Sequence, residues 1–182
     1  MKVIKTNLPG VFIFEPQIHG DHRGYFMETW RADLFADLGI DLSFVQDNQS
    51  SSHQGVLRGM HYQIRQPQGK LVRVLSGKVF DVAVDLRRSS PTFGQWAGVE
   101  LTGENRRLFW VPPGFGHGFY VLSERAEFAY KCTDYYAPEH ERVIRFDDPG
   151  IGIDWPLLGD VQTVVSEKDE AGVALANADL FD

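Results

Sequence analysis

Cys132 is the only cysteine in 182 residues, so no internal disulfide can form, and a framework stapled by disulfides is excluded. It sits in the apolar and aromatic run EFAYKCTDYY, where a buried, inert thiol is expected rather than a redox centre. No stretch approaches the roughly eighteen uninterrupted apolar residues of a membrane span. The opening MKVIKTNLPGVFIFEP lacks a basic segment followed by a sustained apolar run, so a cytoplasmic protein is expected. Positive charge is also scarce: 18 Lys and Arg stand against 25 Asp and Glu, a formal net charge of -7. That balance argues against nucleic-acid binding, which rests on neutralising phosphates, yet leaves room for a small anion held by a few local cations. No Walker-type or GxGxxG loop precedes a helix, so such an anion would depend on Arg and Lys side chains.

What is present is strand. With 43% hydrophobic and 24% charged residues the chain has an ordinary globular balance, and one domain over 1–182 is expected. From about residue 42 to 136 short β-rich runs alternate with Gly and Pro: LSFVQDNQ, GVLRGMHYQI, KLVRVLSG, KVFDVAVDL, GQWAGVEL, RRLFWVP, HGFYVLS and AEFAYKCTDYY. Regular short strands with turn signals predict an all-β sandwich or barrel. KLVRVLSGKVFDVAVDL reads as a hairpin turning at Ser76-Gly77, with Phe80, Val82, Val84 and Leu86 alternating against Val79, Asp81, Ala83 and Asp85, one face directed inward. RADLFADLG predicts a short helix stopped by Gly39, and Ser166 opens a capping pattern in SEKD. The acidic DDPGIGIDWP reads as a structured loop, and the terminal ADLFD is expected to fray.

PPGFGH places Pro112, Gly114 and His117 in the order P-x-G-x-x-H, which resembles the second cupin motif, a turn leading into a strand of a small jelly roll. Where the first cupin motif would offer two His and a Glu, RGMHYQIRQPQGK has His61 alone. A divalent ion needs three or four convergent ligands, so no metal is expected.

RGMHYQ, QGKLVRVLSGKVFDVAVDLRRSSPTFGQW, PPGFGHGF, EFAYKCTDYYAPEHE, IGIDWP and SEKD, in this order, resemble the dTDP-4-dehydrorhamnose 3,5-epimerase family through nearly the whole chain. The resemblance implies a cupin-like jelly-roll barrel with a few short peripheral helices, forming a homodimer. It implies a barrel core at about 42–136, residues 1–41 as strands and a helix toward a partner, and 137–182 as loops and short helices. The implied reaction removes protons from C3 and C5 of a dTDP-linked 4-keto-6-deoxy sugar and returns them from the opposite side, without a cofactor.

Such chemistry needs a base, a donor for the enolate oxygen and an acid on the far face. By the resemblance His61 is the base, since a neutral imidazole can accept a proton near neutrality; a hydrogen-bonded interior histidine is the plainer alternative. Asp169 would bond its far ring nitrogen, as a triad aspartate does, or else simply cap a helix. Tyr130 resembles the acid, and Lys70 would stabilise the enolate; a core tyrosine and an exposed lysine are the alternatives. Strand alternation puts Phe128, Tyr130 and Cys132 on one face, which suits either reading.

For binding, Arg23 and Arg58 match the family's diphosphate contacts, and Gln46 and Asn48, two apart on one strand, would reach nucleotide or sugar. His117 would bond substrate or orient its neighbours. Tyr136 would stack on the thymine, with Glu141 close by. Arg23, Phe26 and Glu28 belong to HGDHRGYFMETW, which in the family crosses to complete the partner's site; an ordinary edge strand is the alternative. Strict alternation points Arg58 and His61 to opposite faces, so an irregularity at Gly59 is expected. Trp155 reads as packing. The rival functions are an epimerase inverting only C3 or only C5, a metal-dependent cupin oxygenase and a non-catalytic sugar-binding cupin.

Overall fold

The computed structural model describes all residues from Met1 to Asp182. Its strands in chain order are β1 (Lys2–Lys5), β2 (Phe12–Glu15), β3 (Ile18–Asp21), β4 (Gly24–Met27), β5 (Gln46–His53), β6 (Leu57–Gln63) and β7 (Lys70–Ser76). There follow β8 (Lys78–Asp85), β9 (Trp96–Thr102), β10 (Leu108–Val111), β11 (Phe115–Val121), β12 (Arg125–Cys132) and β13 (Glu141–Val143). Two short helices, α1 (Ala32–Asp37) and α2 (Glu167–Glu170), lie at the periphery. No helix is long and apolar enough to cross a membrane.

The strands build two antiparallel sheets, β1-β2-β10-β7-β12-β5 and β13-β6-β11-β8-β9, with β3-β4 as a separate hairpin. This is the expected all-β, cupin-like jelly roll. β1, β2 and β13 carry the sheets beyond residues 42–136. Between the sheets lies a core of 16 buried residues, among them Val72, Val74, Val79, Ala83, Phe109, Phe119 and Phe128. Each Val, Leu or Phe side chain so removed from water stabilises the fold by roughly 1.5–3 kcal/mol before chain entropy is counted.

KLVRVLSGKVFDVAVDL is not a hairpin. β7 pairs with β10 and β12 in one sheet, whereas β8 pairs with β11 and β9 in the other. Gly77, at φ +79°, turns the chain between sheets, and a Cβ there would lie 2.0 Å from the Arg125 carbonyl oxygen. Alternation reports which faces are apolar but not which strand is the neighbour. Val79 and Ala83 enter the inter-sheet core, while Val82, Val84 and Leu86 lie on the outside of the second sheet, under Ile144, Ile151 and Trp155.

The predicted strand at 42–49 begins later, at Gln46, and continues through SSSH. Its full ladder with β12 supplies the pairing that a polar run lacks the hydrophobicity to specify. Nor does the tail hang free: Arg88 N–H donates to the Phe181 carbonyl at 2.9 Å, and the Phe181 ring packs against Tyr62. α1 ends as expected, with Gly39 at φ +77°, and Phe35 buries it against Phe14 and Trp110. Trp155 is buried, its indole N–H donating to the Phe146 carbonyl at 2.9 Å.

Candidate active site

A cavity of about 320 Å³ opens between the sheets, lined by Gln46, Asn48, Arg58, His61, Lys70, His117, Tyr130, Tyr136 and Glu141 among the sequence-predicted residues. Ser50, Gln68, Phe119, Phe128 and Lys168 complete the lining.

β6 delivers two of these residues through a break in its register. Opposite it on β11, His117 faces His61 and Phe119 faces Arg58, so three steps along β6 match two along β11. One extra residue thus inverts the alternation and turns Arg58 and His61 toward one side, as anticipated for Gly59. Gly59 lies at φ +128°, and a Cβ on it would stand 2.5 Å from the Gly118 Cα, so only glycine fits. β5 contributes Gln46, Asn48 and Ser50 by simple alternation, and β12 contributes Phe128 and Tyr130 in the same way. Lys70 enters as the first residue of β7.

His61 Nε2 lies 2.5 Å from Asp169 Oδ1, and the carboxylate is 3% exposed. An ionised carboxylate only accepts, so Nε2 carries the proton and Nδ1 is left as the basic nitrogen. Burial lowers the His61 pKa from 6.5 and outweighs the Asp169 charge, which raises it, keeping the ring neutral at neutral pH. For Asp169 burial pulls upward, but the bond from His61 and the Ser166 contact prevail and hold the carboxyl below its usual range. Ser166 caps α2 by accepting from the Asp169 N–H at 3.2 Å. Asp169 is therefore both a capped helix residue and the imidazole's partner.

Burial pushes the Tyr130 phenol above its ordinary value, so it stays protonated, and lowers the Lys70 ammonium, making it a stronger donor toward developing negative charge. His117 is buried, with Nε2 2.9 Å from Asp81 Oδ1 and its ring stacked on Phe128. Arg58 Nε donates to Ser52 Oγ at 3.1 Å. At the mouth Tyr136 donates to Glu141 at 3.0 Å, and Glu141 also accepts from Lys168. Cys132 is fully buried beside Asn48, where burial raises the thiol and leaves it inert.

The chain resembles solved and curated proteins along its whole length. A family model described as dTDP-4-dehydrorhamnose 3,5-epimerase matches residues 5–177. The chain belongs to that family. The enzyme of this name from Pseudomonas aeruginosa is 58% identical over 100% of this chain and 99% of its own length. The one from Methanothermobacter thermautotrophicus is 54% identical over 92% and 91%. Among solved structures, dTDP-6-deoxy-D-glucose-3,5-epimerase from Legionella pneumophila, crystallised with dTDP-4-keto-L-rhamnose, superposes with a TM-score of 0.95 at 57% identity, covering 98% of this chain and 94% of its own.

Within this member of the epimerase family, Arg23, Phe26 and Glu28 stand apart from the cavity. Arg23 pairs with Asp21 on the β3-β4 hairpin, Phe26 is 71% exposed, and Glu28 lies within 4.0 Å of Arg31. Sequence reasoning missed Lys168, Ser50, Gln68, Phe119, Phe128 and the Asp81 behind His117. Two signals were available: Ser50 continues the Gln46, Asn48 alternation, and Asp81 is a carboxylate inside an apolar strand.

Proposed function

We propose that this chain performs the 3,5-epimerisation of dTDP-4-dehydro-6-deoxy-D-glucose to dTDP-4-dehydro-L-rhamnose. The observation that carries the reading is the His61 imidazole, backed by the buried Asp169 carboxylate, in one cavity with the Tyr130 phenol and Lys70. His61 removes the proton at C3 or C5, the C–H pair becomes the enolate, and the charge collects on the C4 oxygen near Lys70. Tyr130 returns a proton to the opposite face, and exchange with solvent restores both groups. Protons alone are moved, so the chemistry balances without hydride or electron transfer. Asp169 stabilises the imidazolium and fixes its tautomer.

Arg58 takes the diphosphate, Gln46, Asn48 and His117 meet the sugar and nucleotide, and Tyr136, steadied by Glu141, stacks on the base. Arg23, Phe26 and Glu28, outside their own subunit's cavity, complete that of a partner in a homodimer. Their exposure supports this assignment. The proposed setting is the cytoplasm, supported by a lone buried thiol and no disulfide.

A one-centre reading deserves its own test, because a protein described as a 3'-monoepimerase from Streptomyces bikiniensis superposes with a TM-score of 0.87 at 37% identity. Incubating the 4-keto substrate in deuterated buffer and following it by NMR separates the two. Two-centre action puts deuterium at both C3 and C5 with inversion at each; label at one carbon alone sinks it. His61→Ala should slow the label's entry by roughly 10²–10⁴-fold.

A further inference from the structure

Tyr136 projects from a segment, residues 133–137, that belongs to no helix or strand. Main-chain groups of that segment are nevertheless bonded, and three of the partners are glutamine side chains. Gln68 Nε2 donates to the Asp134 carbonyl at 2.8 Å, and Gln46 Oε1 accepts from the Tyr136 N–H at 2.9 Å. Gln63 does more: its Nε2 donates to the Tyr135 carbonyl at 3.2 Å and to the Gln66 carbonyl at 2.7 Å, while its Oε1 accepts from the Ala137 N–H at 2.9 Å.

Gln46 and Gln68 line the cavity, so either could act by touching a ligand. Gln63 cannot. It is 4% exposed, absent from the lining, and grips the main chain on both sides of Tyr136. Its amide is also chemically specific: two donations and one acceptance from a neutral group of that length is a set only a glutamine supplies here. It lies two residues beyond His61 on β6, so one strand carries both the imidazole and the clamp on the aromatic ring.

We propose that Gln63 is a positioning residue that holds Tyr136 in place to receive the nucleotide base. The proposal rests on the assignment of Tyr136 to base stacking. Gln63 acts on binding and not on the proton transfers, because its bonds run to the Tyr136 segment and the Gln66 turn and none to His61, Lys70 or Tyr130.

The test is a double-mutant cycle read by calorimetry with dTDP and by steady-state kinetics with the dTDP-linked 4-keto sugar. Gln63→Glu keeps the size and the acceptor but sets a carboxylate against two carbonyls; Gln63→Met removes all three bonds. Either should raise the dTDP Kd and the KM by roughly tenfold, the scale of one lost stacking contact. kcat should stay within about twofold and the acid limb of the pH profile should not move. In a Tyr136→Ala background the same changes should alter the Kd by less than about twofold, because the ring they position is gone. Equal losses in both backgrounds, or a fall in kcat with KM intact, would overturn the proposal. If Tyr136→Ala alone leaves dTDP binding unchanged, the stacking assignment has failed and the proposal falls with it; if it weakens binding and the Gln63 changes do not, only the proposal fails. Should neither Gln63 variant fold, hydrogen exchange of the unsubstituted protein decides: an Ala137 amide exchanging only on global opening supports the clamp, and fast exchange sinks it.

Discussion

At His61 burial disfavours the imidazolium, Asp169 favours it, and burial prevails. If His61 is the base, activity requires the neutral ring and must fall as pH drops through its folded pKa, below 6.5. Removing the Asp169 charge takes away the influence that raises this pKa and leaves those that lower it. Asp169→Asn should therefore shift the acid limb of the kcat/KM profile to still lower pH, while cutting kcat at least roughly a hundredfold through loss of tautomer control. A limb that stays in place or moves up would remove Asp169 from the pair. Tyr130 calls for a different measurement. If Tyr130 is the acid on the far face, Tyr130→Phe should depress inversion, followed by product NMR, more than solvent exchange at the abstracted position. Equal depression of both would contradict the role. These residues were legible from their motifs, RGMH, EFAYKC and SEKD. Lys168 and Phe119 were not, because what marks them is proximity in space and not a spacing along the chain.

Among the elements, β6 shows how far a strand pattern reaches. The conflict between Arg58 and His61 under strict alternation was visible in VLRGMHYQ, and the extra residue opposite β11 resolves it. Gly59→Ala should cost about 2 kcal/mol or more of stability, read as a lowered urea midpoint, since the new Cβ meets the Gly118 backbone at a positive φ. The same substitution should abolish turnover in whatever fraction still folds. Unchanged stability would show that the strand tolerates an ordinary residue there. The β7–β8 reading failed for a related reason. Two alternating runs around Ser76-Gly77 look the same whether the chain doubles back or crosses to the opposite sheet, and only the partners β10, β12, β9 and β11 decide. In β5 the wholly polar QDNQSSSH lacks the apolar face that marks a strand, because that face lines a cavity.

At the scale of the whole molecule the β3-β4 hairpin stands clear of its own cavity, with Phe26 and Tyr25 exposed and Arg106 stacked 3.9 Å over the Tyr25 ring. If it completes a partner's cavity, two crippled variants should rescue each other. Arg23→Ala/Phe26→Ala and His61→Ala, unfolded together and refolded at equal ratio, should recover about a quarter of the unsubstituted activity, since half the dimers are mixed and each holds one intact site. Activity no higher than the diluted hairpin variant would place each site within one chain. The amino-acid sequence by itself determined the all-β class, the stop of α1 at Gly39, the Ser166 cap of α2 and the buried thiol, because each is written in local composition or in a contiguous motif. Tertiary structure alone decided which sheet each strand joins, which face of β8 turns inward, and that Gln63 bonds the main chain on both sides of Tyr136. Those outcomes depend on pairings between distant segments, whose free energies are settled only when the whole barrel closes.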